Sequence, residues 1–263
     1  MLCAALVLGL SASVADESMP SSITEVCQVE TFVVAGAPAV GRMTDRDLTL
    51  VVELKLEKDW HTYWWDAGSW GAPPRLTINA PKGWQTGPII LPAPECFSTD
   101  LGEVYGYHHS VRFQVPMRRP DASPAELTYA LDWLVCKEAC LLGRASKTLN
   151  VPAILPNSGF PDLSQDAVYL APERRLRSQL VGDALWVEHP ESCLGQPKLV
   201  FRPLDAVSLP QAGPTKQNDG WVFPLDIRRQ DFPSAGTVTL HGLLIFSDNG
   251  ARETYAFSTT LNN

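Results

Sequence analysis

Apolar and polar residues alternate along much of this chain, which is the pattern of β-strands with one buried face. In the clearest segment, Asp47 to Glu57, leucine or valine occupies every second position from Leu48 to Leu56. Lys55 and two glutamates lie between them, so the pattern predicts a half-buried antiparallel strand. Further strands are predicted at residues 29–34, 75–79, 88–91, 111–116, 127–135, 146–151, 184–188, 198–202, 221–225, 237–246 and 253–260.

Proline and glycine divide these predicted strands, and the chain holds 22 prolines but little helical periodicity. Short strands with such punctuation indicate an all-β protein built from β-sandwiches. We predict one sandwich domain over residues 16–155 and a second, smaller one over 181–263, although a single extended sandwich is the alternative. Residues 156–180 are rich in proline and polar groups and are predicted to form a linker, with one short helix near 172–180.

The first 15 residues are typical of a secretory signal peptide. An apolar run from Leu2 to Leu10 leads to Ser13-Val14-Ala15, a small-x-small cleavage pattern. A buried strand or an anchor is the alternative, but the run is too short to span a bilayer. We therefore expect an exported protein.

Composition and charge limit the possible functions. Apolar residues make up 45% of the chain and charged residues 19%, which suits a globular protein with a substantial core. The net charge is −8 and no basic run occurs, so nucleic acid is not an expected partner.

Two cysteines, Cys136 and Cys140, are separated by three residues at the end of a predicted strand. Four residues of extended strand span about 13 Å, whereas a disulfide needs Cα atoms about 4.4–6.8 Å apart. A bridge between them therefore requires a turn. It would close a loop of about five residues and stabilise the fold by only ~2 kcal/mol, so we favour a redox-active pair over a structural bridge.

A metal site is the alternative interpretation of this cysteine pair. Two thiolates and a histidine would suit Cu(I), and Cys136, Cys140 and His108 are the candidate ligands. If the pair is redox-active instead, no cofactor beyond the disulfide is expected.

Three further cysteines would remain after signal removal, namely Cys27, Cys96 and Cys193. The resulting odd number predicts at least one thiol that is free, exchanging or intermolecular. These three are candidate structural or regulatory thiols. A bridge between Cys27 and Cys96 would close about 70 residues and stabilise the fold by ~4.4 kcal/mol, which makes it the better staple.

Several separated motifs occur in a defined order between about residues 25 and 155. They are Trp60-His61-Thr62-Tyr63-Trp64, then Gly68, Gly71, Pro73 and Pro74, then Pro92-Ala93-Pro94, Tyr105-Gly106-Tyr107, Trp133-Leu134-Val135-Cys136-Lys137-Glu138 and Cys140. Together they resemble the amino-terminal periplasmic domain of DsbD thiol:disulfide interchange proteins. The likeness is greatest to the ScsB-like branch, which is linked to copper tolerance.

The resemblance implies an immunoglobulin-like sandwich in the periplasm that carries a redox cysteine pair. Cys136 and Cys140 would be that pair, with Cys140 forming the mixed disulfide and Cys136 resolving it. The implied partners are a membrane-embedded thiol donor, encoded separately, and periplasmic thioredoxin-like or disulfide-isomerase-like proteins. The family also covers its pair with an aromatic cap loop, which corresponds here to about residues 96–107. The candidate cap or site-wall residues are Phe97, Tyr105, Tyr107, His61 and Tyr63. The alternative is that these aromatic side chains only fill the sandwich.

Overall fold

The computed structural model describes residues 22–37, 44–155, 175–190, 195–201, 206–208, 213–232, 237–248 and 251–261. The predicted signal peptide lies outside these ranges. Within them the protein is built from β-strands, with helical structure confined to the 3-10 turns Ile23–Glu25 and Arg229–Asp231. No helix in the described part of the chain is long and apolar enough to cross a bilayer. The predicted all-β fold is confirmed.

The first half of the chain forms two packed sheets from ten strands. In chain order these are β1 Cys27–Ala35, β2 Asp47–Leu56, β3 His61–Gly68, β4 Arg75–Asn79, β5 Gln85–Thr86, β6 Glu95–Thr99, β7 Gly102–His108, β8 Ser110–Arg118, β9 Ala125–Cys136 and β10 Cys140–Val151. One sheet has the order β1-β2-β8-β5. The other has the order β10-β9-β3-β7-β6, with β4 also paired to β9.

The second half forms two four-stranded sheets and a two-stranded ribbon. Its strands are β11 Arg175–Leu176, β12 Ser178–Val181, β13 Ala184–Glu188, β14 Lys198–Phe201, β15 Val207–Ser208, β16 Thr215–Gln217, β17 Gly220–Pro224, β18 Asp226–Ile227, β19 Val238–Asp248 and β20 Ala251–Leu261. The sheets have the orders β11-β20-β19-β14 and β12-β13-β17-β16, and β15 pairs with β18.

Apolar side chains from facing sheets form the cores of both halves. The first core includes Trp64, Phe113 and Trp133, and the second includes Leu185, Phe223 and Leu240. Strands β14, β19 and β20 also add side chains to the first core, namely Val200, Leu243, Ile245 and Ala256. The two halves therefore share apolar packing.

Two details of the sequence interpretation are corrected by the structure. The short helix predicted near 172–180 is wrong for residues 175–180, which form β11 and most of β12; the preceding residues lie outside the described ranges. The strand from Asp47 is buried along most of its length and not on one face only. Its outer face is covered because Val51 packs with Val34 and Phe32, while Glu53 is paired with Arg112 at 3.0 Å.

Candidate functional site

The cysteine pair lies at the tip of the hairpin formed by β9 and β10. Cys136 ends β9, Cys140 begins β10, and the two are paired in register and joined by a disulfide. Their Cα atoms are 4.2 Å apart. The turn between them is closed by the Lys137 N–H, which donates to the Ala139 carbonyl at 3.1 Å. The bond therefore joins two directly opposite positions on neighbouring strands, through the tight turn that its spacing requires.

The two sulfur-bearing residues differ in exposure. Cys136 is buried, with 1% of its surface exposed, whereas Cys140 is only partly buried. Solvent and an incoming thiolate therefore have better access to Cys140 than to Cys136.

The pleat of β9 determines which side of the sheet carries the disulfide. Leu131, Trp133 and Val135 point into the first core. Leu134 and Cys136 point the other way and pack in a separate apolar cluster on the outer face of the sheet. We call this group the disulfide cluster; its members are Tyr63, Ala67, Phe97, Val104, Leu134, Cys136 and Cys140.

At two positions near the site, an aromatic ring lies so close to the backbone that only glycine fits. A Cβ added to Gly143 would lie 2.2 Å from the Trp133 indole, so this glycine serves packing within β10 and does not form the turn. Gly71, at a φ of +112°, approaches Tyr63 so closely that a Cβ would lie 2.1 Å from its ring. Both glycines thus fix aromatic side chains on which the hairpin and the disulfide cluster depend.

His61 lies beside the disulfide on β3. It is paired in register with Cys136 of β9 on one side and with His108 of β7 on the other. Its Nε2 atom is 3.3 Å from the Tyr63 hydroxyl. Burial, with a smaller contribution from the nearby His108, lowers the pKa of His61 to about 4, so its imidazole is neutral at neutral pH.

Phe97 forms the remaining wall of the site. Its ring centre lies 5.0 Å from that of His61 and 4.5 Å from that of His108. The His108 ring is itself fixed by a hydrogen bond, because its Nδ1 donates to the Glu95 carboxylate at 2.6 Å. Phe97 thus packs against two histidines on the disulfide face of the sheet, and its shielding role stays a prediction.

The structure does not place Tyr105 and Tyr107 with Phe97. Both project from the other face of β7 and pack against the first core. The Tyr107 hydroxyl donates to the Pro92 carbonyl at 2.7 Å. The expectation that these two tyrosines shield the pair is wrong, because strand alternation directs Val104 and His108 to the disulfide side instead.

Two of the three candidate structural thiols, Cys27 and Cys96, form no disulfide. Cys27 and Cys96 are both free, the former buried in the first core and the latter exposed. Burial raises the pKa of Cys27 to about 11. Cys96 faces away from the disulfide cluster and accepts a hydrogen bond from the Lys198 ammonium at 3.0 Å. Cys193 lies outside the described residues.

The alternative metal site is not assembled in this state. Among the described residues, no group of three or more histidine, cysteine or acidic side chains has metal-binding geometry. His108, the histidine expected to complete a Cu(I) site, is separated from Cys136 by the intervening strand β3.

Comparison with known proteins agrees with this geometry, which defines a β-sandwich domain bearing a thiol–disulfide site. Residues 31–152 match the family described as thiol:disulfide interchange protein DsbD, N-terminal. These residues therefore form a DsbD N-terminal-like domain. A search of curated proteins found no match.

Solved structures extend the likeness beyond that domain. The N-terminal periplasmic domain of ScsB from Proteus mirabilis matches at a TM-score of 0.56 and 18% identity, over 94% of this chain and 96% of that one. The reduced DsbD N-terminal domain of Neisseria meningitidis matches at a TM-score of 0.30 and 14% identity, over 49% of this chain and 86% of its own. The ScsB domain therefore shares the overall fold of both halves.

Proposed function

We propose that this protein is a periplasmic thiol:disulfide interchange protein that passes reducing equivalents to protein partners through Cys136 and Cys140. The observation that carries the proposal is the disulfide itself. It joins a buried and an accessible cysteine on the outer face of a DsbD N-terminal-like domain. A pair used only as a staple would gain little here, because the hairpin ladder already holds its two strands together.

The difference in exposure assigns a role to each sulfur. In the reduced protein, the Cys140 thiolate attacks a partner disulfide and forms a mixed disulfide, releasing one partner thiolate. Cys136, which is directly opposite, then attacks Cys140 and releases the second partner thiolate. The partner disulfide gains two electrons, and the Cys136–Cys140 bond forms again.

The proposed partners follow from this chemistry and from the family resemblance. Reduction of the pair requires a thiol donor, for which we propose a membrane-embedded protein encoded separately. The acceptors would be periplasmic thioredoxin-like or disulfide-isomerase-like proteins. No organic cofactor is needed, since the cysteine pair holds both electrons.

Trapping of the mixed disulfide tests this proposal. The reduced Cys136→Ala variant is mixed with oxidised thioredoxin, quenched with acid, alkylated and separated without reductant. We expect a mixed disulfide that is absent from the matched Cys140→Ala variant. Both variants should also carry Cys96→Ser, because the exposed Cys96 could react as well.

Redox titration separates this function from the alternatives. A reduction potential of the pair below about −300 mV, with no exchange with thioredoxin, would identify a structural bridge. Stoichiometric Cu(I) binding that Cys136→Ser abolishes, without thiol exchange, would support the copper-binding alternative. Absence of both activities would leave a β-sandwich interaction module.

A further inference from the structure

Four side-chain positions form a continuous row across the outer face of the first domain. Cys140 is paired with Cys136, Cys136 with His61, and His61 with His108, on the successive strands β10, β9, β3 and β7. Directly opposite residues on neighbouring strands have Cβ atoms about 4.5–5.5 Å apart and share a face. The imidazole of His61 is therefore the nearest cross-strand neighbour of the buried sulfur of Cys136 on the side away from Cys140.

A buried thiol loses its proton less easily than an exposed one. Only the thiolate attacks a disulfide, and Cys136, at 1% exposure, has little contact with water that could remove its proton. A base within the protein would remove this obstacle. The base must be neutral before the step, because a protonated group cannot accept another proton.

His61 meets that requirement, and the groups around it explain why. It is 7% exposed, and its ring is enclosed by Tyr63, Phe97 and His108. Burial raises the pKa of Tyr63 to about 12, so its hydroxyl stays neutral. The Glu95 carboxylate is bound to His108, on the side of His108 away from the His61 ring. Asp132, on the same face of β9, lies four residues before Cys136 and pairs with Arg144 at 3.0 Å.

The charged side chains at the hairpin tip are Lys137 and Glu138, and Glu138 is exposed. The Lys137 ammonium lies 3.9 Å from the carboxylate of Asp59. His109, the next histidine along the chain, is exposed on the turn that follows β7. Among the described residues that border Cys136, His61 is therefore the neutral side chain equipped to accept a proton.

We propose that His61 is the proton acceptor that activates Cys136 in the resolving step, an inference that rests on the proposed function. In the mixed disulfide, the Cys136 thiol gives its proton to the His61 imidazole. The Cys136 thiolate then attacks Cys140, the Cys140–partner bond breaks, the partner leaves as a thiolate, and the imidazolium releases its proton to the solvent. Two electrons move from the cysteine pair to the partner, and the histidine returns to its neutral form.

The first chemical step does not use His61 in this scheme. Cys140 is more accessible to solvent and lies on the far side of Cys136 from the imidazole. Loss of His61 should therefore slow the second step of an exchange reaction and leave the first unchanged. This difference separates a proton acceptor from a residue that only supports packing, whose loss would disturb both steps.

Stopped-flow reaction with dithiobis-nitrobenzoate measures the two steps separately. The reduced full chain is used in a background that retains Cys136 and Cys140 and lacks its other cysteines. The first release of thionitrobenzoate reports attack by Cys140, and the second reports resolution by Cys136. At neutral pH we expect His61→Gln to slow the second release by about a hundredfold, the low end of what a positioned proton acceptor contributes. The first release should change by less than about twofold.

Two controls accompany this measurement. His109→Asn removes an exposed histidine at a φ of +63°, which asparagine also tolerates, and should leave both releases unchanged. In His61→Ala, added imidazole should restore part of the second-release rate. Between about pH 5 and about pH 9, that rate should rise steeply with pH in His61→Gln and more shallowly in the parent protein.

The possible results are distinct. Equal second-release rates in His61→Gln and the parent across the pH range would overturn the inference. Equal slowing of both releases would also overturn it, by showing a packing role. If the parent protein itself gave no second release, the proposed interchange function would fail along with the inference.

Discussion

The Phe97 and His108 rings are tilted by 51° with their centres 4.5 Å apart, and the Glu95 carboxylate accepts a hydrogen bond from His108 at 2.6 Å. This contact links Phe97 of the disulfide cluster to a hydrogen-bonded unit. Glu95 and Phe97 lie on the edge strand β6, whereas His108 ends β7. This unit therefore borders the disulfide cluster at the sheet edge opposite β10, the strand that carries Cys140.

Removal of the Phe97 ring should make the disulfide easier to attack. A ring contact is worth about 0.5–1.5 kcal/mol, so Phe97→Ala should accelerate reduction of the pair by dithiothreitol by up to about tenfold. The measurement is the rate of thiol appearance under pseudo-first-order conditions. Phe32→Ala, which removes a ring on the other sheet, is the control. An unchanged rate in Phe97→Ala would show that the ring does not limit access.

Gly143→Ala should destabilise the first domain. The added Cβ would lie 2.2 Å from the Trp133 ring, which is packed in the core and cannot yield without disturbing its neighbours. Overpacking of this kind costs about 1–3 kcal/mol, measurable as a lower urea midpoint. At Gly213 an added Cβ would meet only the Gln196 amide at 3.6 Å, so Gly213→Ala should be nearly neutral. Equal midpoints for the two variants would contradict this packing argument.

Asp47 should make the stability of the protein depend on pH. Burial pushes its pKa upward, but hydrogen bonds from Thr44 and the Arg118 guanidinium outweigh burial and hold the pKa below its usual value. A lowered pKa in the folded state stabilises the protein above the unfolded-state pKa of about 4. This stabilisation is lost as the pH falls through the folded-state value.

Asp47→Asn should therefore lower the free energy of unfolding near pH 7 by about 2 kcal/mol, the range for a hydrogen bond to a charged group. The difference between parent and variant should shrink as the pH falls below about 4. Urea unfolding across this pH range is the measurement. A difference that stays constant down to acidic pH would exclude the carboxylate as its origin.

The free thiols should react at very different rates in the native protein. Cys96 is exposed, whereas Cys27 is 3% exposed and its pKa is raised to about 11 by burial. At pH 8 only about one Cys27 side chain in a thousand is a thiolate, the form that reacts. Iodoacetamide should therefore label Cys96 within the native state and Cys27 only after unfolding, as read by peptide mass spectrometry. Rapid native labelling of Cys27 would contradict its buried position.

Local sequence patterns predicted the strands of the core better than the strands of the site. Strands β4 and β13 coincide with their predicted ranges, and β9 was predicted apart from its ends. The site strands β3, β6 and β7 were not predicted. Their side chains are aromatic, small or polar without a clean alternation: β3 and β7 contribute to both the disulfide cluster and the first core, and β6 is an edge strand with no buried residue.

The residues that neighbour or bond each cysteine could be predicted only in part from the sequence. The spacing of Cys136 and Cys140 identified the pair, because a turn between them is a local feature. His61 was predicted as a possible residue of the site, but its pairing with Cys136 was not, since the pairing of β3 with β9 depends on register between residues about 75 positions apart. The possible Cys27–Cys96 bridge does not form, because Cys27 is buried in the first core whereas Cys96 is exposed beside Lys198.

The position of the disulfide at a hairpin tip also bears on how the protein tolerates changes in its redox state. The bond closes a ring of only five residues, while the long ladder between β9 and β10 continues from this point to Val151 and Ala125. Reduction therefore removes a constraint from the turn and leaves the topology of the domain unchanged. The reduced form should lose only about 2 kcal/mol of stability, so it should keep the same fold as the oxidised form.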